Sequence, residues 1–279
     1  GLVGSEMCIR DRFVKDWLDK CIELVDKYAI DLLWHDAAMD KLPEQARLEM
    51  AAHLYNRSRE RGIEPVLTYK GQDLPAGIAT LDFERHAATE ALAEPWLTDT
   101  SVGRNFDAGD ADSFTVAELV RMLVEIVSKN GCLLLNVGPH PDGTISQKQK
   151  DTLLGIGQWL EVNGEAIYDT RPWKVFGEGP NMEGGGSDTA AHDAYSQQDI
   201  RFTVRDGALY AITLAAPKYE VRVTSLGAAA GHADADVRSV QLVGSGAEAH
   251  WRQEDDALVV EAPVALPCDH AVVFRIALK

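Results

Sequence analysis

Cys132 to Gly164 reads CLLLNVGPHPDGTISQKQKDTLLGIGQWLEVNG, and it sets a strand, a turn and a helix in succession. CLLLNV is a continuous apolar run, the pattern of a strand buried on both faces. Asp142–Gly143 turns the chain. Ser146 with Gln149 three residues later predicts a capping box, opening a helix that ends near Asn163–Gly164. Cys132, in the strand, and Cys21, upstream, read as buried small hydrophobes.

Working upstream, the same grammar repeats. Thr115 with Glu118 is a second capping box, and its helix runs to Asn130–Gly131, where Gly131 is expected to supply a left-handed stop. Strand-like runs precede it at Trp96–Val102, Ala79–Arg85 and Pro65–Tyr69. A helix from Pro43 to about Arg61 is stopped by Gly62. Before it lies a short apolar strand, Ile30–Trp34, ending at His35–Asp36. Phe13–Tyr28 is helical, with Val14, Leu18, Cys21, Ile22 and Val25 at three- and four-residue spacing. Strands alternating with helices mean a parallel sheet of βα units. About four or five units are visible where a closed barrel needs about eight. The expected class is therefore α/β: a partial (β/α)8, TIM-like barrel over 13–173, with its missing half upstream. Residues 1–12, GLVGSEMCIRDR, resemble translated adaptor sequence and read as a non-native or disordered tail.

Downstream of Pro172 the pattern changes. The Gly-rich stretch GEGPNMEGGG ends at Gly186, and 174–186 reads as a linker. Short alternating runs follow at 200–204, 208–214, 220–225, 237–243, 257–260 and 271–278, separated by Gly, Pro and Asp. They predict an antiparallel β-sandwich over 187–279. The glycines at 184–186 lack the strand-before, helix-after setting of a phosphate loop.

The chain has 279 residues, 46% of them apolar and 25% charged, which is ordinary globular composition. Its formal net charge of −17 argues against a phosphate-binding surface, and so against a nucleic-acid partner. No apolar run is long enough to span a bilayer. The four cysteines form neither a CxxC pair nor a zinc-spaced cluster. Nothing in the sequence sets the compartment or the oligomeric state.

Active sites of βα barrels form where the strands end. The residues there are Trp34-His35-Asp36, Tyr69-Lys70, Asp82-Phe83-Glu84-Arg85, Trp96–Ser101 and Asn136–Pro139. Carboxylates, aromatics and basic residues thus share one rim. Two carboxylates flanking one bond are what glycoside hydrolysis requires. A salt-bridged structural pair is the plainer alternative.

Leu133–Trp173, LLLNVGPHPDGTISQKQKDTLLGIGQWLEVNGEAIYDTRPW, resembles the α-L-fucosidase family of retaining glycoside hydrolases. DLLWHD (Asp31–Asp36) is similar to that family's nucleophile strand, and LDFER followed by PWLTDTSVG to the segment carrying the acid/base in some members. The resemblance implies hydrolysis of terminal α-L-fucose from glycoconjugates by a retaining double displacement, with Asp36 as nucleophile and Glu84 as acid/base. Asp82 and Asp99 are the alternatives to Glu84. It implies substrate-binding roles for Trp34, Lys70, Trp96 and Phe106, with Trp34 and Trp96 otherwise core aromatics and Lys70 otherwise a solvated rim residue. Fucosylated glycans are the implied partners, and no metal or organic cofactor is required. Family members are often secreted, periplasmic or lysosomal. Two other readings are a non-catalytic glycan-binding protein and a barrel glycosidase of different sugar specificity. With half a barrel, the chain alone is expected to be inactive.

Overall fold

The computed structural model describes residues 2–36, 39–104, 112–182, 195–232, 236–262 and 264–279. The chain divides into two compact units, Gly1–Glu84 and Arg85–Lys279.

In the first unit, helix α1 (Leu2–Lys27) starts well ahead of Phe13, where the apolar periodicity begins. The part of the N-terminal stretch read as a tail from Leu2 onward is therefore helical. Strand β1 (Leu32–Leu33), helix α2 (Glu44–Arg61), strand β2 (Val66–Lys70) and strand β3 (Thr80–Asp82) follow. Gly62 ends α2 as expected, with φ 69° and its N–H returned to the Ser58 and Arg59 carbonyls. The Arg61 guanidinium reaches the Val25, Asp26 and Tyr28 carbonyls at 2.5, 2.6 and 2.8 Å. It thus satisfies acceptors that the end of α1 leaves open. Cys21 and Val25 of α1 and Met50, Ala51 and Leu54 of α2 share a core with Leu33, Leu67 and Tyr69. The three strands are parallel, with Leu33 opposite Leu67, Tyr69 opposite Leu81 and Lys70 opposite Asp82.

In the second unit, strand β4 (Trp96–Ser101) pairs in parallel with strand β5 (Gly131–Asn136) through helix α3 (Val116–Ser128). The Thr115–Glu118 capping box is complete in both directions. Two expectations fail here. The left-handed residue after α3 is Asn130 (φ 71°), and Gly131 instead opens β5. Its glycine is needed for a close approach: a Cβ there would lie 2.5 Å from the Trp96 ring. In β5 only Gly131 is fully buried, and Cys132 is exposed. The run has the composition of a doubly covered strand, but within the described residues it does not receive that much cover.

Helix α4 (Gln147–Asn163) opens on Ser146, whose hydroxyl accepts the Gln149 N–H at 3.2 Å. Buried Gln149 sends its amide oxygen to the Gly138 N–H at 3.0 Å, and so fastens the NVGP turn to the first turn of the helix.

Strand β6 (Arg171–Glu178) follows almost directly. It is the edge of a five-stranded antiparallel sheet with β7 (Ile200–Arg205), β8 (Ala208–Thr213), β10 (Val237–Leu242) and β13 (Val272–Leu278), in the order β10-β13-β8-β7-β6. Strands β9 (Glu220–Val223), β11 (Trp251–Gln253) and β12 (Leu258–Glu261) form a second sheet in the order β11-β12-β9. One core holds Phe202, Leu209 and Phe274 of the first sheet together with Val221, Leu258 and Val260 of the second. Strand β6 thus already pairs into the antiparallel sheet, and 174–178, read as linker, is strand.

Candidate active site

The first unit gathers Trp34, Asp36, Lys70, Asp82 and Glu84, and strand parity explains how. Leu33, Leu67 and Tyr69 face the core of that unit. Successive side chains of a strand alternate, so Trp34, Thr68, Lys70 and Asp82 turn to the opposite face. The parallel register sets Lys70 directly beside Asp82. Past β1, the His35 N–H is held by the Thr68 hydroxyl at 3.3 Å, steadying the chain as it carries Asp36 outward.

Lys70 is the hub. Its ammonium, on a side chain 12% exposed, lies 3.4 Å from Asp36 Oδ1 and 3.6 Å from Asp82 Oδ2, and it pairs with Glu84 Oε2. It also stands 5.0 Å from the centre of the Trp34 ring, within cation–π range. Asp36 and Glu84 are the solvent-facing carboxylates, 72% and 48% exposed, whereas Asp82 is closed off at 0%. Asp82 Oδ2 accepts the Trp34 indole N–H at 2.7 Å, and Asp82 Oδ1 accepts the Glu84 backbone N–H at 3.1 Å. Glu84 and Arg85 have φ of 42° and 57°. The strand thus ends at Asp82, and Glu84 reaches Lys70 through a left-handed turn rather than by strand parity.

His35 packs 5.8 Å from the Trp17 ring, and burial lowers its pKa, with Asp73 opposing. A cavity of about 420 Å³ lies between Glu44, Arg47, Tyr69 and Leu74–Ala76. Tyr69 faces away from Lys70, so this space is separate from the carboxylate cluster.

Trp96 and Asp99 belong to the second unit. Trp96 is 1% exposed and gives its indole N–H to the Lys129 carbonyl at 2.8 Å, which is the setting of a core aromatic. Asp99 is 3% exposed within β4. Phe106 lies outside the described residues. Among the described residues, no group of three His, Cys, Asp or Glu side chains is arranged to hold a metal ion, and no helix is long and apolar enough to cross a membrane. The organising place of Asp82 was not apparent in the sequence. The signal was the D-x-E spacing, in which a carboxylate can accept the N–H two residues on.

Residues 4–165 match the α-L-fucosidase family, and residues 193–277 match the α-L-fucosidase C-terminal domain. A human plasma α-L-fucosidase is 32% identical over 264 residues, covering 90% of this chain and 52% of its own length. A rat tissue α-L-fucosidase is 28% identical over 248 residues, covering 83% and 47%. The crystal structure of Thermotoga maritima α-fucosidase with a mechanism-based inhibitor superposes with a TM-score of 0.74 at 25% identity, covering 95% of this chain and 57% of that one. The chain thus spans about half the length of these relatives. Its fold is of the α/β class, a partial (β/α)8 barrel followed by an antiparallel sandwich, with carboxylates past the strand ends. Within that class, the chain belongs to the α-L-fucosidase family.

Proposed function

We propose that the protein carrying this chain removes terminal α-L-fucose from fucosylated glycans by a retaining double displacement. The observation that carries this reading is the meeting of the Asp36 and Glu84 carboxylates on one ammonium, beside the Trp34 ring. Retention requires carboxyl groups about 5 to 5.5 Å apart, against roughly 6.5 to 9.5 Å for inversion. Two carboxylates that share one ammonium stand close enough to flank a single glycosidic bond.

Asp36 attacks the anomeric carbon while Glu84 protonates the departing oxygen. The C–O bond breaks, a fucosyl ester forms on Asp36, and the aglycone leaves with the proton. Glu84 then takes a proton from water as that water displaces Asp36, restoring both carboxyls. Lys70 contacts both carboxylates. The Trp34 face supplies apolar contact to the sugar.

This reading extends to the organisation of the protein: the chain supplies the C-terminal half of the barrel, and residues upstream complete the pocket. The test combines nitrophenyl α-L-fucoside hydrolysis with labelling by 2-fluoro-fucosyl fluoride, on the N-terminally extended protein. We expect a covalent adduct on Asp36, turnover abolished by Asp36→Asn, and negligible turnover by Gly1–Lys279 alone. An adduct on another residue would overturn the nucleophile, preference for another glycoside the specificity, and robust turnover by the chain alone the half-pocket.

A further inference from the structure

Asp82 has the most constrained position of the carboxylates in the cluster. Its side chain is fully enclosed, so no substrate atom can reach it in this geometry. Burying a carboxylate is unfavourable unless partners replace the lost water. Among those that do so are the Trp34 indole N–H at 2.7 Å, the Glu84 backbone N–H at 3.1 Å and the Lys70 ammonium at 3.6 Å. Each belongs to a residue of the proposed site, and each comes from a different segment.

The contact to Glu84 has a particular consequence. At φ 42° Glu84 occupies a conformation that side-chain-bearing residues adopt rarely. A carboxylate accepting the N–H two residues ahead stabilises such a turn locally. Asp82 thereby fixes the direction in which the Glu84 carboxyl leaves the strand. Through Oδ2 it also sets the plane of the Trp34 ring, and through charge it anchors the ammonium that Asp36 and Glu84 share.

We propose that Asp82 is a positioning residue that holds the Glu84 turn, the Trp34 ring and the Lys70 ammonium in one arrangement for fucoside hydrolysis, without itself touching substrate. The inference rests on the reading of Asp36 and Glu84 given above. It also removes Asp82 from the candidates for the acid/base.

The test has a structural and a kinetic arm. In the chain Gly1–Lys279, the Trp34 indole proton is assigned in a ¹H–¹⁵N spectrum by its loss in Trp34→Phe. It should exchange slowly with water in the native chain, and faster in Asp82→Ala. Asp82→Asn keeps an acceptor oxygen and should fall between, which covers the case in which the alanine variant fails to fold. In the N-terminally extended enzyme, kcat should fall on the order of 100-fold in Asp82→Ala, as expected for misplaced reacting groups, and less in Asp82→Asn, with KM nearly constant. Azide should restore turnover to Glu84→Ala and not to Asp82→Ala. Rescue of Asp82→Ala by azide would make Asp82 the acid/base itself and overturn the proposal. So would unchanged kcat in both Asp82 variants, or an indole proton indifferent to Asp82. Full activity in Glu84→Ala would instead overturn the acid/base assignment, leaving the indole measurement to report on Asp82 separately.

Discussion

Arg201 of β7 and Glu125 of α3 form an ion pair whose side chains are 0% and 7% exposed. Lys129, also at 0%, adds a second cation 2.6 Å from the same carboxylate and lies 4.8 Å from the centre of the Phe176 ring. The last helix turn before β5 is thereby joined to two strands of the sandwich by buried charge. Removing one partner strands the others without water. Arg201→Met should therefore destabilise the second unit by about 3 to 5 kcal/mol. Replacing Glu125, Lys129 and Arg201 together by apolar residues of matching volume should cost much less. Urea denaturation of the wild type, the single variant and the triple variant checks this. A single variant as stable as the wild type would show that the pair is solvated.

Gly131→Ala places a methyl group against the Trp96 ring, where 2.5 Å is available. The ring cannot retreat freely, because its N–H is held by the Lys129 carbonyl. The expected loss is about 1 to 3 kcal/mol, typical of overpacking. Adding Trp96→Phe should recover part of it, so the two effects should not sum in a thermal-unfolding double-mutant cycle.

These two positions also mark where sequence reading reaches its limit. Features governed by neighbouring residues were legible: the Thr115–Glu118 box, the Gly62 stop, and most of the helix and strand spans. Gly131 was misread because its reason lies in Trp96, far away along the chain. Strand β6 was taken for the end of the barrel and a linker because Pro172 and Gly177 interrupt it. An edge strand tolerates such residues, and its pairing with β7 shifts register between them. Strand β11 escaped notice at three residues. Strand alternation, which sets Asp82 and Glu84 on one face, could not anticipate that the chain leaves the strand at Asp82, since the φ of 42° at Glu84 depends on a side-chain acceptor.

Lys70→Met should lower the turnover of fucoside hydrolysis by the extended enzyme, because Asp36 loses its partner at 3.4 Å and Glu84 loses the same ammonium. Steady-state kinetics checks this, and unchanged turnover would separate Lys70 from the reaction.

Acid should weaken the fold through two histidines. Burial lowers the pKa of His35, and burial with nearby Arg121 lowers that of His270. Their unfolded value is about 6.5. Between the folded and unfolded values the unfolded chain binds more protons, so stability rises with pH there. The contribution is complete above about pH 6.5 and is lost as pH falls through the folded values. The melting temperature should decline on acidification across that window, and less steeply in a His35→Asn, His270→Gln double variant. Parallel curves would exclude both groups.

The order of the larger sandwich sheet has a consequence for biosynthesis. Its final strand, Val272–Leu278, is an interior member, hydrogen-bonded to β10 on one side and β8 on the other. During translation the preceding strands emerge with a gap between them, and the sheet stays open until those residues clear the ribosome. A stop codon in place of Val272 would remove an interior strand of the sheet rather than trim its rim.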